Sequence, residues 1–134
     1  MAVVEVNEHE AAFIVFIRPE KRSRWRQLLQ SAEGRKKLVD DFAHMGDLDM
    51  RFAVEIPSTW SASDIVRALR VRGAPSGCYV MSEHSSHLDE REMPLHEAIH
   101  MVYGNGFGTL VSCIPGRLCY FETEEPNDRY ILER

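Results

Sequence analysis

Met93-Pro94-Leu95-His96-Glu97-Ala98-Ile99-His100-Met101-Val102-Tyr103 runs into Gly104-Asn105-Gly106-Phe107-Gly108, and two apolar stretches follow, Thr109 to Ile114 and Leu118 to Phe121. Proline at the head of this run is placed where it costs a helix least. Leu95, Ala98, Ile99 and Val102 recur at helical spacing and define one buried face. Gly104 suits the left-handed stop. The glycine run follows a helix and precedes a strand, the reverse of the strand–glycine–helix order that cradles phosphate, so it reads as a cap and turn. Pro115-Gly116 joins the two apolar stretches, which predicts an antiparallel hairpin around a type II turn.

Upstream, Ala11 to Ile17 is a near-continuous β-branched and aromatic run, the pattern of a strand buried on both faces. Glu20 to Met45 is helical in two pieces, with Trp25, Leu28 and Leu29 on one stripe and Leu38, Val39, Phe42 and Met45 on the next; Ser31 suits an N-cap between them. Arg51 to Ile56 reads as a second strand. Ser61 and Asp64 open another helix with Ile65, Ala68 and Leu69 inward, and Gly73 with Pro75 stops it. Cys78 to Met81 reads as a third strand, Ser82 to Glu92 as a polar loop, and Tyr130-Ile131-Leu132 as part of a tail. Alternation of this kind predicts one domain, residues 1–134, with a three-layer α/β/α sandwich. The expected sheet is Rossmann-like and mostly parallel, of about five strands, with the C-terminal hairpin antiparallel at one edge.

Composition limits what such a domain does. The chain has 134 residues and a formal net charge of −5, which argues against general nucleic-acid binding. The charge is uneven, with eight Lys/Arg between Arg18 and Lys37 and an acidic stretch from Glu122 onward. Cys78, Cys113 and Cys119 are odd in number and lie in apolar runs, so a reduced, cytoplasmic protein with buried structural thiols is expected. No apolar run has the length of a membrane helix.

His96-Glu97-Ala98-Ile99-His100 spells H-E-x-x-H. Two histidines four apart share a helical face and can both ligate zinc, with the glutamate polarising a bound water. Over these five residues the chain resembles the zincin metallopeptidases. The resemblance implies His96 and His100 as metal ligands and Glu97 as general base. The pair stands in the first helical turn, Ala98 replaces a bulky residue, and Tyr103 and Gly106 occupy the places of the metzincin glycine and histidine. The competing reading is the exposed polar face of an amphipathic helix, without metal.

In doubly wound sheets, ligands bind beyond the carboxyl ends of the strands. By that rule Arg18, Ser58, Glu83, His84 and Asp89 would line one ligand-binding edge. Arg18, Lys21, Arg22, Arg24 and Arg26 form a basic cluster suited to an anion or to a solvated face. The leading expectation is a binding, accessory or regulatory module for an unidentified protein or small molecule, with no cofactor. The alternatives are a zinc-dependent hydrolase at His96–His100, and a small enzyme or sensor at the sheet edge. Self-association through the hairpin edge is a further expectation.

Overall fold

The structure, a computed structural model, describes residues 5–83 and 87–134. A single six-stranded sheet, in the order β1-β6-β5-β4-β2-β3, organises them. The strands are β1 (Ala53–Glu55), β2 (Gly77–Ser82), β3 (Arg91–Pro94), β4 (Thr109–Ile114), β5 (Leu118–Glu122) and β6 (Arg129–Glu133). Every neighbouring pair is antiparallel. The expected mostly parallel, Rossmann-like sheet is therefore wrong.

The reason lies in where the helical connections land. Helix α4 (Ala62–Val71) joins β1 to β2, and α5 (Leu95–Val102) joins β3 to β4. Traced through the pairings, the two strands that each helix connects do run the same way, as a helical crossover requires. They are never neighbours. Strands β6, β5 and β4 separate β1 from β2, and β2 separates β3 from β4. Alternation of helices and strands reports connection, not adjacency.

The hairpin forms as its turn residues dictate. Arg117 donates its N–H to the Ile114 carbonyl at 3.0 Å, and Gly116 takes the positive φ of 70° that the third position of a type II turn needs. Its placement corrects the expectation, because β4 and β5 occupy the middle of the sheet and each is bonded on both sides. Pairing with a second copy through this hairpin has no free edge to use. The sheet's edges are β1 and β3.

Residues Ala11 to Ile17 are also not a central strand. Helix α1 (Glu8–Ala12) passes into a 3₁₀ turn at Phe13–Phe16, and Ile17 makes only an isolated bridge to Leu48. Phe13, Ile14, Phe16 and Ile17 are all buried, so the apolar run reports burial correctly. A short apolar run does not separate a buried strand from a buried helical turn.

Strand alternation sends side chains to two cores. Val80, Val111, Tyr120 and Ile131 face Ile65, Leu69, Leu95, Ile99 and Val102 of α4 and α5. Tyr79, Met81, Leu110 and Phe121 face Phe13, Phe16, Trp25, Leu38 and Phe42. That second core is covered by α1, α2 (Arg22–Leu28) and α3 (Ala32–Asp40). Ser31 caps α3, accepting from the Gly34 N–H at 3.0 Å. Gly34 itself must be glycine, since a Cβ there would lie 2.1 Å from the Leu28 carbonyl oxygen. No helix among the described residues is long and apolar enough to cross a membrane.

Candidate functional site

An antiparallel sheet has no carboxyl edge, because successive strands end at opposite sides. The residues assigned to such an edge accordingly scatter. Arg18 sits beside Asp47 at 3.8 Å and Glu20 at 3.6 Å, ahead of α2. Glu83 accepts the Gly108 N–H at 2.8 Å. Asp89 accepts from both Arg35 Nη atoms, at 2.8 and 2.9 Å, and from the Ser82 N–H at 3.0 Å. These bonds give Asp89 a structural role. His84 lies outside the described residues. Ser58 lines a cleft that also holds another of the sequence-predicted residues, His100.

His96 and His100 are exposed on α5, with ring centroids 4.3 Å apart. The His100 Nδ1 bonds the His96 carbonyl at 2.8 Å, leaving Nε2 3.4 Å from Ser63 Oγ. Among the described residues, no group of three His, Cys, Asp or Glu side chains is placed to hold a metal. A tetrahedral zinc site needs at least three protein ligands, so this donor set does not fit one. Zinc added to the purified protein is expected to leave Tm unchanged. A rise that disappears in the His96→Ala/His100→Ala double variant would restore the hydrolase reading.

The cleft is built by the turn after β1 and the start of α4. Ile56 donates to the Arg129 carbonyl at 2.9 Å, and Trp60 donates to the Pro57 carbonyl at 3.1 Å, which folds Pro57 to Trp60 back on itself. Ser61 and Asp64 then form a reciprocal capping box that starts α4. The result is a shallow cleft of about 510 Å³ lined by Ser58, Thr59, Trp60, Ser61, Ser63, His100 and Tyr103. A second groove of about 390 Å³ runs from Trp60 along Asp64, Arg67, Ala68 and Val71. Trp60 belongs to both.

Buried groups hold the aromatic walls in place. The Tyr103 hydroxyl donates to the Trp60 carbonyl at 2.6 Å, and the Arg129 guanidinium lies 4.3 Å from the centre of the Tyr103 ring. Arg129 stands opposite Glu122 across the β5–β6 ladder. Both are buried, and the Arg129 Nε has no hydrogen-bond partner among the described residues. Glu122 accepts from the Tyr120 hydroxyl at 2.7 Å. Burial pushes its carboxyl up to about 7, against the opposing pull of Tyr120, Arg129 and the Gly104 N–H.

Chemically, the cleft offers an indole, a phenol, hydroxyls and one imidazole. Ser63 and His100 are close enough for a loose hydrogen bond, but the far nitrogen of His100 meets a carbonyl. A carboxylate in that position is what stabilises the imidazolium of an acyl-transfer site. The thiols lie elsewhere. Cys78 and Cys113 line a different cleft of about 440 Å³ with His9. Burial pushes the Cys78 thiol up to about 12 and raises Cys113 and Cys119 as well, so all three stay protonated and unreactive at neutral pH.

Trp60, Tyr103, Glu122 and Arg129 were not singled out from the sequence. For Glu122 a signal existed. It shares strand parity with Tyr120 at the end of an apolar strand, so it had to enter the core. Trp60 carried no comparable signal. Comparison of the chain with protein-family models, curated proteins and solved structures finds no match.

Proposed function

We propose that this chain is a non-catalytic binding module, accessory or regulatory in role, working in the cytoplasm. Its contact site is the Trp60–Tyr103 cleft, which receives a small molecule or a side chain of a partner protein. One observation carries the reading: two partly exposed aromatic residues are fixed from behind by a hydrogen bond and a buried arginine, beside four hydroxyl groups. Aromatic faces with convergent polar groups recur at ligand and partner sites. No carboxylate pair, activated thiol or supported serine–histidine pair accompanies them among the residues lining this cleft.

The test is a titration of ¹⁵N-labelled protein with adenosine, indole, glucose and a capped phenylalanine dipeptide. At least one probe is expected to shift the amides of Ser58 to Ser63, His100 and Tyr103 saturably, and Trp60→Ala is expected to abolish that shift. Shifts confined to another surface, or none from any probe at millimolar concentration, would remove the cleft as the site.

A further inference from the structure

The opposite face of the sheet carries a cluster of arginines drawn from distant parts of the chain. The Ile17–Leu48 bridge brings the Phe16–Arg18 segment beside Asp47 to Asp49, with Asp49 donating its N–H to the Phe16 carbonyl at 2.8 Å. Around this junction, Arg22 donates from Nε to the Ile17 carbonyl at 2.9 Å and from Nη2 to the Val15 carbonyl at 3.4 Å. Arg134 donates from Nη1 to the same Val15 carbonyl at 2.8 Å. Two nitrogens bonded to one oxygen lie within about 6 Å of each other, close enough for their charges to repel. Arg51 joins them through Phe52, whose ring has the Arg134 guanidinium at 4.5 Å and that of Arg51 at 5.3 Å.

The negative charge here falls short of the positive. Asp49 is chelated by Arg51, at 2.9 and 2.6 Å. Asp47 faces Arg18 and accepts the Trp25 indole N–H at 3.0 Å, and Glu20 also pairs with Arg18. Among the described residues, neither Arg22 nor Arg134 has a carboxylate within ion-pair distance. Arg22 and Arg134 are thus held together with Asp49, already chelated by Arg51, as the carboxylate whose charge reaches Arg22, in a chain whose net charge is negative. The rest of the basic cluster takes no part. Arg24 is exposed on α2, and Arg26 lines a separate cleft with Val6, Ala11, Ile14 and Leu29.

We propose that Arg22, Arg51 and Arg134 form a phosphate site, taking free phosphate or the terminal phosphate of a small phosphomonoester. A guanidinium presents planar N–H pairs that match phosphate oxygens, and the negative charge of phosphate offsets the surplus of arginines over carboxylates here. Hydrogen bonds to the Val15 and Ile17 carbonyls orient Arg22 and Arg134, and the Phe52 ring lies beside Arg51 and Arg134. The site lies across the sheet from the Trp60 cleft and stands or falls without it.

The experiment is calorimetric titration at constant ionic strength with inorganic phosphate, with glycerol 3-phosphate, and with acetate as the carboxylate control. Saturable phosphate binding in the millimolar range or tighter is expected, with acetate at least roughly tenfold weaker. Arg134→Gln is expected to weaken phosphate by roughly tenfold or more while leaving the phosphate-free Tm unchanged. Arg51→Lys, which keeps a cation beside the buried Asp49 but loses the planar fork, serves as the second variant if Arg134→Gln fails to fold. Tighter binding of the ester marks a phosphorylated small molecule, and equal binding marks the free ion. No saturation, equal affinity for acetate, or undiminished affinity in both Arg134→Gln and Arg51→Lys would overturn the proposal.

Discussion

Replacing Arg35 with methionine is expected to cost about 3–5 kcal/mol of folding stability, the largest loss among the changes considered. Arg35 Nε donates to both Glu10 oxygens at 3.0 Å, and its Nη atoms hold Asp89. The Tyr79 hydroxyl also donates to Glu10. Glu10 is only 5% exposed, so water cannot replace the guanidinium once it is gone. A carboxylate left buried without its cation is what makes breaking such a pair expensive, even where the intact pair adds little over a hydrophobic substitute. The clamp also ties α1 and α3 to β2 and to the segment entering β3, so its loss loosens contacts far apart in the chain.

Urea denaturation tests this directly. The midpoint should fall with the slope nearly constant, as for a folded variant of lower stability, and Tm should drop by roughly 10–15 °C. Glu10→Gln placed in the Arg35→Met background should recover part of the loss, because it removes the orphaned charge and keeps a partner for Tyr79. A loss below about 1 kcal/mol would mean that Glu10 finds solvent, and the clamp would then be a surface ion pair.

Arg35 also illustrates what the sequence could and could not disclose. Helix α3 was legible from Leu38 and Val39, its cap from Ser31, and α5 and the hairpin from their periodicity and turn residues. These signals are local, and local physics answers them. Glu10, Arg35, Tyr79 and Asp89 lie in four segments whose meeting depends on strand order, and nothing in any one of them records that order. The same limit misplaced the candidate site. The strand-edge rule assigns Ser58 to a sheet edge that an antiparallel sheet lacks, yet Ser58 does line a cleft, next to a tryptophan that no periodicity marks. Ala11 to Ile17 failed for a different reason. Its apolar residues announce burial, and burial alone does not choose between strand and helical turn.

Glu122 should make the protein less stable as pH rises through neutrality. Its carboxyl has an ordinary value of 4.5 and is pushed up to about 7 in the folded protein, mainly by burial. Between these values the unfolded chain is ionised while the folded one keeps its proton. The folded state then binds more protons, so stability falls with increasing pH. Below 4.5 both states are protonated and the contribution is fully present; above about 7 it is lost. A shift of this size corresponds to about 3 kcal/mol across the window.

Glu122→Gln replaces the ionisable group with a neutral one of the same shape that can still accept from Tyr120. The variant should match the parent near pH 4 and exceed it by up to about 3 kcal/mol near pH 8. Other titrating groups are common to both proteins, so the difference between their stability curves isolates this carboxyl. Denaturant unfolding at closely spaced pH values supplies the comparison. The groups facing Glu122 decide the alternative. Arg129 is buried opposite it, its Nε without a hydrogen-bond partner among the described residues and the Tyr103 ring against its guanidinium. If Arg129 depended on the carboxylate as its counter-charge, removing that charge would leave a buried cation, and the variant would be the less stable protein at pH 8. Curves diverging in the variant's favour would instead show that desolvation outweighs the attraction of Arg129, and that the support behind Tyr103 works best with Glu122 neutral.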